Sequence, residues 1–368
     1  MPENKKTIEL EPQLQPSDLA AGGSGLSIGL LSNYPETEET RIFLTPEAVG
    51  LLTSAGIRVT VEAGAGIDIS FSDEAYAEYG AKIAPRTEVI QCPIVLSYSP
   101  LREEDIMRLR KGATLLCMMD SLLFDEKIID ALLKQKITLG CFDNMYSHND
   151  EPVFANIIDE IDGRAAIMYA QEHLSFLGGG KGVLLAGVAG INPCEVLLIG
   201  EGMDVCAAAV AAMDAGASVT LLNNDISALQ SAAAYCGRGI TTLAIHPRVL
   251  YNKVKTADVL IMGTTTRPFE LPKKLSAAMK ESLYVLDFNE SHPSVSVPRT
   301  VAMALSNVLV NFFNEMQIKN GIESMITTTE GVQCGIVTYH GRLTDKLIGS
   351  YLSLPTVDIK VMLAGSGN

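Results

Sequence analysis

The chain has 368 residues, 47% of them hydrophobic and 19% charged, a globular composition long enough for two domains with separate cores. Its net charge of -15 argues against nucleic-acid backbone as a partner, because that backbone requires basic patches. No apolar run approaches the ~20 residues of a membrane span.

Residues 1–26 are polar, rich in Pro, Gln and Gly, and lack the basic start and apolar centre of a signal peptide. They read as a flexible or loosely docked extension. A first α/β block runs from about Leu26 to Asp143. Strands are expected at Ser27–Leu31, Val59–Glu62, Ile94–Ser97, Thr114–Met118 and Thr138–Cys141. Helices alternate with them at Thr45–Ala55, Ser72–Tyr79, Glu103–Leu109 and Asp125–Lys134. Thr45 is placed to cap the first helix, with Pro46 at its first position. Strands alternating with helices at this spacing imply a mostly parallel sheet.

A long helix is expected over Ile157–Leu177, ended by Gly178-Gly179-Gly180 and bridging two domains. Residues 182–290 repeat the α/β pattern. Val196-Leu197-Leu198-Ile199 suits a buried parallel strand. Gly200 and Gly202 follow, then an alanine-rich helix from about Val205 to Ala215, which Gly216 would end, and a strand at Ser218–Leu222. Further strands are expected at Thr241–Ala244, Val259–Met262 and Tyr284–Leu286. The chain turns helical again from about Ala302 to Glu315. The tail Gly331–Leu352 is expected to pack back on the first domain.

The stretch 182–223 has the outline of a dinucleotide-binding βαβ unit, but its fingerprint is altered. The third glycine of G-x-G-x-x-G, which lets helix and strand pack closely, is here Val205. A branched side chain there would push helix and strand apart or close the pyrophosphate pocket. The acidic residue expected ~20 residues on, for the ribose 2′-hydroxyl, is here Asn223, with Asp225 a possible substitute. Glu201 and Asp204 put negative charge near a pyrophosphate position and suit a helix N-terminus that carries no phosphate.

The seven cysteines (Cys92, Cys117, Cys141, Cys194, Cys206, Cys236 and Cys334) form no C-x-x-C pair. They read as buried free thiols of a reducing cytoplasm. The five histidines have no ligand spacing, so no metal site is expected.

Several segments, in order, resemble the alanine dehydrogenase / proton-translocating transhydrogenase α-subunit family. Arg41-Ile42-Phe43-Leu44-Thr45-Pro46 resembles its R-V-A-L-T-P segment, and Val61–Gly66 its E-x-G-A-G turn. Gly180–Gly190 resembles its long glycine signature, and Ala257–Gly263 a core strand of its nucleotide fold. Val297-Pro298-Arg299-Thr300, Ser306-Asn307, Asn320-Gly321 and Gly341–Thr344 resemble its C-terminal re-entry and tail. The resemblance implies α/β architecture: two doubly wound parallel-sheet domains, the second Rossmann-like, with a cleft between them. It divides the chain into residues 27–156 plus 303–368 for the substrate-type domain and 157–302 for the nucleotide domain.

Alanine dehydrogenases deaminate L-alanine to pyruvate and ammonia by hydride transfer to NAD and are commonly hexamers, whereas the transhydrogenase component is dimeric, so a homo-oligomer from dimer to hexamer is implied. The resemblance therefore implies NAD as cofactor and an amino or keto acid as small-molecule partner; the cytoplasmic location rests on the free thiols. A transhydrogenase-like component docking a membrane partner is a further reading, supported only by the shared fold.

Residue by residue the match is incomplete. Arg41 falls on the arginine that holds the substrate carboxylate, a role suited to a guanidinium fork. Tyr98 takes the place of the lysine that contacts the substrate carbonyl, and Asp120 the place of the acid/base histidine. They are the candidate replacement pair for proton transfer, although Asp120 also reads as a helix N-cap. Cofactor contacts fall on Gly200, Gly202, Asn223, Gly263 and Asp287. The family's second aspartate in the loop after Asp287 is here Ser291. The loss of lysine, histidine, second aspartate and third glycine together points to a divergent or inactive member. The alternative is an active NAD(H)-dependent amino-acid dehydrogenase with a rebuilt site.

Overall fold

The computed structural model describes residues 25–118, 125–147, 149–264 and 271–365. Thirteen strands among them form two sheets. The first contains β1 (Ser27–Leu30), β2 (Arg58–Glu62), β3 (Lys82–Ala84), β4 (Ile94–Leu96), β5 (Thr114–Cys117) and β6 (Thr138–Cys141). The second contains β7 (Glu195–Ile199), β8 (Ser218–Asn223), β9 (Ile240–Ala244), β10 (Val259–Met262) and β11 (Tyr284–Asp287). Two late strands, β12 (Ile336–Tyr339) and β13 (Arg342–Leu343), return to the first sheet.

The first sheet has the order β13-β12-β6-β5-β4-β1-β2-β3. It is parallel from β6 to β3, whereas β12 pairs antiparallel with both β6 and β13. The tail thus packs on the first domain by extending its sheet. Helices α1 (Pro46–Ser54), α2 (Asp73–Glu78), α3 (Arg86–Val89), α4 (Glu103–Ile106) and α5 (Glu126–Gln135) connect its strands. The Thr45 side chain accepts the Ala48 N–H and caps α1, an interaction worth about 1 kcal/mol. Alternating side chains feed two cores: Ile94 and Leu96 pack with α1 and α2, Val95 with α3, α4 and α5.

Helix α6 (Val153–Leu174) starts four residues earlier than the sequence spacing suggests, directly after Pro152. It ends at Leu174, three residues before the expected stop. Its first turns place Phe154 and Ile158 in the first core, and its last turns place Ala166, Ala170 and Leu174 in the second. One helix therefore bridges the two domains.

The second sheet is fully parallel, in the order β11-β10-β7-β8-β9. Helices α7 (Met203–Asp214) and α8 (Ile226–Cys236) cover one face with α6, and α9 (Pro247–Thr256) covers the other. The order reverses between β7 and β10, the switch point where open α/β sheets take their ligands. Helix α6 crosses α7 closely at Gly163, where an added methyl would lie 2.2 Å from the Asp204 carbonyl oxygen.

Helix α10 (Pro298–Ile318) returns to the first core through Val301, Leu305, Leu309 and Phe313. Four short helices complete the described chain: α11 (Ile322–Thr328), α12 (Glu330–Cys334), α13 (Lys346–Leu352) and α14 (Ile359–Gly365). The cysteines are free, as their spacing suggests, but not all are buried. Cys334 is exposed at the end of α12, and Cys206 and Cys236 are half-buried.

Candidate functional site

The loop after β1 and the loop after β11 meet between the domains. Arg41 sits there with 8% of its surface exposed. Its Nε and Nη2 donate to the two carboxylate oxygens of Glu39 at 2.8 and 2.7 Å. Its Nη1 donates to Ser294 Oγ at 2.9 Å. Burial alone would lower the Arg41 pKa, but the bonds to Glu39 and the nearby negative charge raise it above its ordinary value. A guanidinium has five N–H donors. Three are committed to these partners, which leaves one on each Nη for a ligand. Glu39 thus fixes the fork from one edge.

Tyr98 follows β4 and supports the other side. Its ring centroid lies 4.7 Å from the Arg41 guanidinium carbon and 5.3 Å from the Phe43 ring centroid. Burial raises the Tyr98 pKa far above the ordinary phenol range, with the Arg41 charge opposing. The hydroxyl is therefore neutral throughout the physiological range.

Ser294 joins this pair to α6, since its backbone N–H donates to Asp162 Oδ1 at 2.6 Å. Asp162 Oδ2 lies 3.6 Å from His292 Nδ1. Asp159, one turn earlier on α6, has its carboxyl pKa pushed up to about 7. Burial is the largest cause, followed by the charges of Asp204, Asp162 and Asp143, while His292 opposes. This side of the cleft is strongly acidic and holds a proton near neutrality.

The glycine turn ends β7. Gly200 and Gly202 have φ of +142° and +108°, backbone that side chains rarely adopt. Val205 does not push helix and strand apart. Its Cγ2 occupies the space left by Gly263, where a methyl would lie 2.3 Å away, and Val205 is fully buried. Glu201 is exposed and accepts from Asn223 Nδ2 at 3.2 Å. Both Asn223 side-chain donors are engaged, because Nδ2 also donates to Gly200 O at 2.8 Å, and Oδ1 accepts the Asp225 N–H. Asp225 caps α8 through the Ser227 and Ala228 N–H groups. Asp287 Oδ1 accepts the Asn289 backbone N–H at 2.9 Å and its side-chain amide at 2.7 Å.

Asp204 is 2% exposed. Its Oδ1 accepts the Val205 N–H at 2.7 Å and its Oδ2 the Thr264 N–H at 2.6 Å. Burial raises its pKa, while these backbone bonds oppose. A phosphate ~5 Å from an ionised carboxylate here would be repelled by about 3 kcal/mol at an effective dielectric of ~20. The donor set at this turn fits a dinucleotide pyrophosphate poorly, since the Asp204 carboxylate takes the Val205 N–H and sets negative charge beside the turn.

Two family matches cover the sequence. The Alanine dehydrogenase/PNT N-terminal domain matches residues 34–156, and the Alanine dehydrogenase/PNT C-terminal domain matches residues 166–283. An alanine dehydrogenase of Methanococcus maripaludis is 32% identical over 251 residues, covering 67% of each chain. One of Mycolicibacterium smegmatis is 27% identical over 364 residues, covering 89% of this chain and 98% of its own. The chain belongs to the alanine dehydrogenase/PNT family. A solved L-alanine dehydrogenase shares its fold with a TM-score of 0.79 at 21% identity, over 89% of this chain and 99% of its own.

Of the candidate residues read from the sequence, Arg41 and Tyr98 are in contact. Gly200, Gly202, Asn223, Gly263 and Asp287 gather at the C-terminal edge of the second sheet, at the ends of β7, β8, β10 and β11. Asp120 lies outside the described residues. The cleft residues Glu39, Asp159, Asp162, His292 and Ser294 are not singled out by the sequence. Glu39 stands two residues before Arg41, a spacing that could have signalled the pairing; Asp162 reads only as one polar residue in a long helix.

Proposed function

We propose that the chain is a divergent alanine dehydrogenase-like protein. It binds a small amino or keto acid through Arg41 and does not turn over L-alanine. The observation that carries this reading is the Arg41–Tyr98 stack. The arginine suited to a carboxylate is kept and oriented. The group beside it is a buried neutral phenol, which lacks the charge to polarise a carbonyl strongly. Titration calorimetry with pyruvate and with L-alanine tests it. Saturable binding lost in R41A supports the reading; binding unaffected by R41A ends it.

A second reading is an active NAD(H)-dependent amino-acid dehydrogenase with a rebuilt site, its proton transfer carried by Tyr98 and Asp120. A proton-bearing group near pH 7, Asp159, beside the His292–Asp162 pair favours it, because general acid–base chemistry needs a pKa near the working pH. NAD would then be held at Gly200, Gly202, Asn223, Gly263 and Asp287. The engaged Asn223 amide and the buried Asp204 carboxylate weigh against that cofactor.

The division into 27–156 plus 303–368 and 157–302, with 1–26 as an extension, belongs to the same reading. So does a homo-oligomer. Its support is the exposed apolar stretch after α6, where Phe176, Leu177, Leu184 and Ile191 are 81, 98, 71 and 67% exposed. The free thiols suit a reducing cytoplasm. No helix among the described residues is long and apolar enough to cross a membrane.

A further inference from the structure

We propose that Asp204 is an internal occupant of the anion position at the start of α7, so that the glycine turn is closed to a dinucleotide pyrophosphate. In a doubly wound sheet that position lies at the N-terminus of the first helix, beside the crevice where the strand order reverses. Here the reversal falls between β7 and β10. The Asp204 carboxylate spans that crevice: one oxygen accepts an N–H from the first turn of α7, the other an N–H from the segment after β10.

The plug is built in rather than incidental. Asp204 is 2% exposed, and its Oδ1 lies 2.9 Å from where a methyl on Gly202 would stand, so the carboxylate is folded beneath the turn. Val205 fills the floor between Gly200 and Gly263. A carboxylate at a helix N-terminus is stabilised by the helix dipole, which is the same interaction a phosphate would use. A dinucleotide entering the turn must displace Asp204 or sit against its charge. Asp162 adds negative charge on the adjoining helix face, as its effect on Asp204 records. Asp204 is thus the specificity-determining residue of this turn. The inference concerns the nucleotide fold alone, and it stands or falls independently of whether Arg41 binds a carboxylate.

The test is a titration of the full chain with NADH and with NADPH, followed by nucleotide fluorescence and by calorimetry. Three proteins are compared: the wild type, D204S and D204N. Serine shortens the side chain and clears the crevice; asparagine keeps the size and removes the charge. The wild type is expected to show no saturation up to about 1 mM, and D204S to bind at least about tenfold more tightly. Circular dichroism melts establish that each variant is folded. Wild-type saturation in the micromolar range would overturn the proposal whatever the variants do. So would folded D204S and D204N binding no better than wild type.

Discussion

The guanidinium carbon of Arg41 lies 4.7 Å from the centroid of the Tyr98 ring, and the Phe43 ring packs against the same tyrosine with centroids 5.3 Å apart. The phenol acts here as a packing surface for a buried cation. Y98F is therefore expected to change stability by less than about 1 kcal/mol, because it keeps the ring. Y98A leaves a cavity beneath the guanidinium and is expected to cost about 3–5 kcal/mol. Urea denaturation of the two variants checks the pair. Equal losses would show that the hydroxyl, not the ring, matters.

Glu39 holds Arg41 through two parallel bonds, and both side chains are largely buried. Removing the carboxylate leaves a buried guanidinium short of its partner. E39Q is expected to destabilise the fold by about 2–4 kcal/mol and to weaken pyruvate binding, because the fork loses its fixed orientation. Chemical denaturation and calorimetry on the same protein read both effects.

The architecture was legible because buried parallel strands are apolar runs punctuated by capping residues. Val196–Ile199 with Gly200 and Gly202, and Thr45 before Pro46, announce their elements without tertiary help. Strand β3 was missed because Lys82-Ile83-Ala84 is three residues at the sheet edge, too short to show a period. The site was only half legible. Arg41 carries a motif, whereas Asp159, Asp162 and His292 become neighbours only when α6 crosses the cleft. The fit of Val205 depends on Gly263, fifty-eight residues away, a relation no local pattern encodes.

Asp159 gives the fold a pH dependence of definite sign. Its folded pKa, about 7, lies above the ordinary aspartate value of 3.8 that holds in the unfolded chain, so the folded state binds the extra proton between these values. The penalty is absent below about pH 4 and grows as pH rises to about 7, reaching roughly 2–4 kcal/mol. D159N removes it. Thermal melts are expected to show D159N more stable than wild type at pH 8 and nearly equal at pH 4. A constant difference across that range would contradict the assignment.

Gly263 and Val205 form a small-to-large pair at the base of the turn. G263A drives a methyl into Val205 Cγ2 and is expected to cost about 1–3 kcal/mol. V205A alone opens a cavity of similar cost. The double variant G263A/V205A is expected to lose at least about 1 kcal/mol less than the sum, because each change accommodates the other. A double-mutant cycle in urea measures the coupling, and additivity would place the two residues out of contact.

The central claim is that the family fold and its carboxylate-binding arginine persist here without alanine dehydrogenase turnover. The most direct measurement is NADH formation from L-alanine and NAD by the purified full-length chain, with the reverse reaction from pyruvate, ammonia and NADH. The account predicts no rate above background at millimolar substrate in either direction. Turnover in the ordinary enzymatic range, about 1 s⁻¹ or faster, lost in R41A, would contradict it and establish the rebuilt site.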